Sequence, residues 1–181
     1  DNGPYRDGKA TLYEGGTRVV ALANWPRRIP PGSVADQPIH VVDMFPTLAR
    51  LAGAEPGQSK PLDGFDVWPV LSEGKPSPRT EVVYDIEPFR AALRQGDWKL
   101  VWQATLPSRV ELFDLANDPG ETRDLSAAHP EKVASLKQRI EALSREAVAP
   151  LILGEALGTV KPALFGAVVF PEDAQAIESQ P

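Results

Sequence analysis

The chain has 181 residues, 42% hydrophobic and 24% charged, the balance of an ordinary soluble globular protein. Its 19 Lys and Arg are scattered among 25 Asp and Glu, giving a formal net charge of −6, which argues against nucleic acid as a general partner. No cysteine is present and the two histidines, His40 and His129, are far apart, so disulfides, thiolate sites and a multi-histidine metal centre are excluded.

The 19 prolines predict many short elements. Arg18-Val19-Val20-Ala21-Leu22-Ala23-Asn24 is a largely apolar β-type run, expected to be a buried strand that ends at Trp25-Pro26. After a proline-rich loop, Val42, Phe45, Leu48, Ala49 and Ala52 share a face at helical spacing. Asp43 or Thr47 would cap a turn there, Pro46 fits a first helical turn and Gly53 a stop. One or two helical turns are expected within 65–71.

From Glu81 the period changes to two. Glu81–Asp85, Phe89–Arg94, Trp98–Gln103 and Val110–Asp114 read as strands, with Gln95-Gly96-Asp97 a hairpin signal. Four strands without long intervening helices predict a small antiparallel sheet. Asn117-Asp118-Pro119-Gly120 is a turn. A helix then starts at His129-Pro130-Glu131, with Val133, Leu136, Ile140, Leu143 and Val148 as its apolar stripe, and the sheet is the surface it would cover. Residues 150–181 have irregular periodicity and an acidic end, expected to be an extension. No apolar run reaches membrane-spanning length.

The stretch that points to chemistry is Arg6-Asp7-Gly8-Lys9-Ala10-Thr11-Leu12-Tyr13-Glu14-Gly15-Gly16-Thr17-Arg18-Val19. Glycine lets backbone approach a ligand or take positive φ, and a lysine held there presents a compact ammonium with three donors. Such a group suits a tetrahedral oxyanion whose charge must be offset as the leaving oxygen departs. An acidic chain does not forbid this, since one placed cation can dominate a local field. On composition alone, Lys9 reads first as a surface lysine on a turn.

The run from Asn2 to Val19 resembles the sulfatase family, with its asparagine-glycine-proline, arginine, glycine-lysine, aromatic-glutamate-glycine-glycine, arginine and valine. Further matches follow in the family's order. They are Ala23-Asn24-Trp25-Pro26, His40 to Leu48 with Leu51-Ala52-Gly53, Leu62-Asp63-Gly64, Trp98-Lys99-Leu100, and Glu111-Leu112-Phe113-Asp114-Leu115 with Asn117-Asp118-Pro119-Gly120-Glu121-Thr122. The resemblance implies an α/β, alkaline-phosphatase-like sulfatase fold, of which this chain is the C-terminal portion. Residues 1–78 would complete the main domain, 79–149 would form the antiparallel sheet with its helix, and 150–181 an extension.

The resemblance also implies a hydrolase of sulfate esters, in which Lys9 is the catalytic and substrate-binding cation. Formylglycine and calcium would come from upstream sequence, so this chain alone is expected to be inactive. The substrate would be a small-molecule or glycan sulfate ester, and the location periplasmic or secreted. A phosphate or phosphonate ester hydrolase on the same scaffold, and a non-catalytic interaction module, are the alternatives. Glu14 and Arg18 are expected to tie the glycine turn to the following strand, His40 to make a structural hydrogen bond at a helix entrance, and His129 to be solvated.

Two features are set aside. Asp1-Asn2 resembles the family's calcium-binding aspartate-asparagine pair but fits better the asparagine-glycine-proline just before the lysine, so no metal ligand is assigned. Thr105-Leu106-Pro107-Ser108-Arg109 resembles the formylglycine signature, yet a threonine β-carbon carries a methyl and oxidises to a ketone, not an aldehyde. It is expected to connect two strands.

Overall fold

The computed structural model describes residues 2–54, 61–87 and 89–147. The end of the expected apolar stripe at Val148 and the extension 150–181 lie outside them. The described residues up to Arg145 form a first compact unit.

The centre of the first unit is an antiparallel meander in the order β1 (Glu81–Glu87), β2 (Arg90–Gln95), β3 (Trp98–Gln103) and β4 (Arg109–Asp114). β2 and β3 pair from Gln95↔Trp98 to Arg90↔Gln103, so Gly96-Asp97 is a two-residue hairpin loop. Gly96 has φ +59, the left-handed value that the first central position of such a hairpin requires. β1 and β2 slip register between Val83 and Asp85, leaving Tyr84 as a bulge. The outer edge of β4 is covered locally: Leu112 donates its N–H to Asp124 Oδ1 (3.0 Å) and accepts from Leu125 N–H (2.8 Å).

The two faces of this sheet bury different chemistry. On one, Leu93, Leu100 and Leu112 pack against Leu136 of α4 (Pro130–Glu146), with Val133, Ile140 and Leu143 around them. This is the expected covering of the sheet by its helix. On the other, Ala92, Val101, Phe113 and Leu115 meet Leu12 and Tyr13 of the lysine segment. Arg139 of α4 also reaches Glu81 of β1 through two hydrogen bonds (3.0 and 2.6 Å), holding the Glu81 carboxyl below the usual range.

Three short helices precede the sheet: α1 (Glu14–Thr17), α2 (Met44–Leu51) following a 3-10 turn at Val41–Asp43, and α3 (Trp68–Glu73). Two expectations are corrected here. Arg18–Asn24 is not a buried strand: it has no ladder partner among the described residues, and Val19, Val20 and Leu22 are 83–95% exposed. An apolar β-type run specifies extended backbone but cannot supply the neighbouring strand that would satisfy its N–H and C=O groups. The second correction concerns α2. Phe45 and Leu48 of the expected apolar stripe are exposed, whereas Asp43 and Thr47 are buried.

Polar bonding explains that inversion. Asp43 accepts from His40 N–H (2.7 Å) and Phe65 N–H (2.9 Å), and Arg79 grips both of its oxygens. Thr47 Oγ1 accepts from Val67 N–H (3.0 Å) and donates to Asp43 C=O (2.6 Å). This face of the helix therefore turns toward residues 65–67, whose backbone it satisfies, and toward the Arg79 side chain. Burial opposes the ionised Asp43, but the Arg79 hydrogen bonds and the two N–H donors outweigh it and hold its carboxyl below the usual range.

Candidate functional site

Lys9 occupies the second position of a tight turn. Thr11 closes it, donating N–H (3.1 Å) and Oγ1–H (2.8 Å) to Gly8 C=O. Ala10 has φ +76 and Lys9 does not share that sign, the pattern of a type II turn. Asp7, just before, has φ +56. Positive φ therefore falls on two non-glycine residues flanking Gly8-Lys9, at a cost of about 1–3 kcal/mol each. Asn2 helps hold the arrangement by donating Nδ2–H to Asp7 C=O (2.7 Å). The Lys9 side chain is exposed and has no hydrogen-bond or ion-pair partner among the described residues.

The glycines serve close approach. A Cβ on Gly15 would stand 2.3 Å from Arg6 O, and one on Gly16 would stand 2.5 Å from both Gly8 O and Thr11 O. Gly15 N–H donates to Arg6 C=O at 2.9 Å. The first turn of α1 thus forms a flat seat directly beneath the backbone that carries Lys9.

That seat is fastened to the sheet by buried charge. Lys99 of β3, fully buried, places Nζ 2.9 Å from Glu14 Oε1 and 2.9 Å from Glu121 Oε1, with the Tyr84 ring 4.2 Å away. The Glu121 contact is an ion pair without hydrogen-bond alignment. Glu121 Oε2 accepts the main-chain N–H of Glu14 at 2.5 Å. Tyr84, the bulge residue, donates its hydroxyl to Glu14 Oε1 at 3.1 Å, and Arg18 lies 3.8 Å from Glu14 Oε2. Burial pushes the Glu121 carboxyl up despite the nearby ammonium, and burial together with the Glu14 charge pushes up the Tyr84 phenol.

A second knot lies beside the first. Arg6 stacks over the Tyr13 ring (3.8 Å to its centre) and donates to Glu111 Oε1 and Glu121 C=O, both at 3.2 Å. Tyr13 donates its hydroxyl to Glu111 Oε2, and Arg109 reaches Glu111 Oε1 at 2.7 Å. Burial first, then the Glu111 carboxylate, raise the Tyr13 phenol to about 12. A cleft of about 610 Å³ opens here, lined by Pro4, Arg6, Arg109, Glu111, Thr122 and Asp124 among others. Its two arginines are already matched by Glu111.

Residues 5–146 match the family described as N-sulphoglucosamine sulphohydrolase, C-terminal. The chain belongs to this sulfatase family, as its C-terminal portion. Similar proteins include human arylsulfatase A, 36% identical over 76% of this chain and 32% of that protein, and mouse steryl-sulfatase, 32% identical over 80% and 28%. The chain thus spans about a third of the length of the curated relatives it matches. Among solved structures it resembles that of Ps i-CgsB (28% identity, TM-score 0.73, 83% of this chain and 34% of that one), a protein also solved with k-i-k-neocarrahexaose. A Bacteroides thetaiotaomicron structure from a glycosaminoglycan-metabolising locus follows at 25% identity and TM-score 0.64, over 78% of this chain and 32% of that one. The fold is therefore the alkaline-phosphatase-like sulfatase fold, ending in a four-stranded antiparallel sheet covered by a helix.

Other expected residues of this sulfatase-family chain have structural duties. Glu14 and Arg18 do not tie the glycine turn to a following strand. Glu14 instead joins it to β1 and β3, while Arg18 lies over the Tyr5 ring at 4.8 Å. His40 makes a structural hydrogen bond at a helix entrance, accepting Val42 N–H at Nδ1 (3.3 Å). Burial and the nearby Arg79 hold its imidazole below its ordinary value. His129 is half-exposed, edge-on to Trp98, and so less solvated than expected. Residues 104–108 link β3 to β4, as expected. Asp1 lies outside the described residues. Asn2 donates its Nδ2–H to Asp7 C=O, and no group of three or more carboxylate, histidine or cysteine ligands gathers among the described residues.

The residues that sequence reasoning missed are Lys99, Glu121, Glu111 and Tyr84. One signal was present. In β3, Lys99 alternates in phase with Val101, and in β4 Glu111 alternates in phase with Phe113, so both charges point into a buried face. No helix among the described residues is long and apolar enough to cross a membrane.

Proposed function

We propose that the whole protein hydrolyses a sulfate ester and that Lys9 binds the sulfate and offsets its charge in the transition state. Family membership supports the reaction class. The observation that carries the role of Lys9 is the contrast between its ammonium and its backbone. The ammonium is exposed and unpartnered among the described residues, while the turn beneath it is strained, hydrogen-bonded and seated on two glycines. A backbone so held fixes the point from which the lysine reaches an incoming oxyanion, so that only the side-chain rotamers remain to be ordered.

On this reading residues 1–78 belong to the main domain and 79–149 to the sheet-and-helix subdomain. The nucleophile, read from the resemblance as formylglycine, and calcium come from outside this chain. The substrate is a small-molecule or glycan sulfate ester.

The test is steady-state turnover of a chromogenic aryl sulfate by the full-length protein. Lys9→Ala is expected to lower kcat/KM by about 10²–10³-fold with its melting temperature unchanged, the range for removing one oxyanion-stabilising donor. Lys9→Arg should recover only part of the loss. Wild-type turnover by Lys9→Ala would overturn the assignment. The 181-residue chain by itself is expected to give no turnover above blank.

A further inference from the structure

We infer that Glu121 and Lys99 are positioning residues for Lys9, acting through Glu14 and the Gly15-Gly16 seat. The inference rests on the proposed role of Lys9. Neither residue can touch a ligand, because both are fully buried. Any effect they have on turnover must pass through the loop they hold.

The path is short and each link is a close contact. The backbone on both sides of Lys9 rests on Gly15 and Gly16, closely enough that a methyl on either glycine would collide with it. Those glycines belong to α1, which has four residues and cannot hold itself in place. The placement of α1 comes from Glu14, whose main-chain N–H donates to Glu121 and whose carboxylate takes Lys99 and Tyr84. Glu121 is itself held. It sits at φ +52 after a turn that Asp118 closes, accepting from Thr122 Oγ1 (3.0 Å) and Arg123 N–H (2.8 Å). Gly120, next to it, lies against Pro4 of the lysine segment. A rigid sheet and a stapled turn therefore fix the height and tilt of a loop about 90 to 110 residues away in sequence, as the Lys9–Lys99 and Lys9–Glu121 separations show.

The chemistry of the pairings suits positioning. A single ammonium lies between two carboxylates in a water-poor interior, where misplacement strands a charge. Such a cluster favours one geometry sharply, which is what a reacting site needs, since about 1 Å of displacement can cost about 10²-fold in rate.

The test is a double-mutant cycle in the full-length protein, with a chromogenic aryl sulfate as substrate. The proteins compared are wild type, Lys9→Ala, Glu121→Gln and the double variant. Glu121→Gln is expected to lower kcat by about 10–10²-fold when Lys9 is present, and by less than about twofold when Lys9 is already alanine, because residues acting through one group are not additive. Tyr84→Phe removes one hydrogen bond to Glu14 without altering charge. It should show the same pattern at smaller size, and it decides the matter if Glu121→Gln does not fold. Equal losses in both backgrounds, or no loss in either from a folded protein, would overturn the positioning role. Undiminished turnover by Lys9→Ala would instead overturn the reading of Lys9 itself, so the two failures are told apart.

Discussion

The two faces of the central sheet are both buried, yet they are built on opposite principles. The face under α4 is apolar, with four leucines at its centre, Trp98 and Trp102 beside them and no charge among the leucines. The face under the lysine segment mixes Phe113 and Val101 with Lys99, Glu111, Glu14 and Glu121. An apolar face gains stability in proportion to the area it covers and tolerates small slips of the helix upon it. A buried ion cluster gains little net stability over an apolar replacement, but it penalises every geometry except its own. The helix therefore serves the fold, and the charged face sets the position of a loop.

The largest expected effect breaks that face. Lys99→Ala leaves two buried carboxylates without their cation and should cost about 3–5 kcal/mol in urea unfolding of the chain. Leu136→Ala, the matching cut on the apolar face, should cost about 3 kcal/mol through its cavity. The two are distinguishable, because only Lys99→Ala should release residues 5–18 before global unfolding. Gly16→Ala should cost about 1–3 kcal/mol, since its Cβ would press on two backbone oxygens of the lysine turn.

A subtler contrast lies in pH dependence. The Asp43 carboxyl is held below its ordinary range, so its contribution is complete above about pH 4 and is lost as pH falls through the folded value. Glu121 has the opposite sign. Its carboxyl is raised, so its contribution is complete below its ordinary value near pH 4 and is lost as pH rises through the folded value. Unfolding curves across that range should show wild type losing ground to Glu121→Gln as pH rises, and gaining on Asp43→Asn. The smallest effect should be Lys9→Ala, within about 0.5 kcal/mol of wild type, since its exposed ammonium has no partner among the described residues.

Much of the local structure was legible in the sequence. Alternation from Glu81 onward gave the four strands, Gly96 the hairpin, and the spacing of Val133, Leu136, Ile140 and Leu143 the face of α4 that meets the sheet. These signals are local, and burial on one face is their direct cause. The lysine loop was legible as a motif, though its positive φ values fell on Asp7 and Ala10, not on Gly8. The Lys99 cluster was not legible, because its members lie at positions 14, 84, 99 and 121 and no local pattern joins them. The exposed run Val19–Leu22 and the reversed face of α2 were misread for a related reason. Apolar periodicity says which side is apolar, but bonding to a particular loop or strand decides which side is covered.

Hydrogen exchange on the 181-residue chain, read by peptide, tests the clamp most directly. Residues 5–18 should be protected in wild type while 19–24 exchange freely, and Lys99→Ala should release 5–18 while α4 stays protected. Protection of 5–18 that survives loss of Lys99, or its absence in wild type, would contradict the claim that buried charge holds the lysine loop on the sheet.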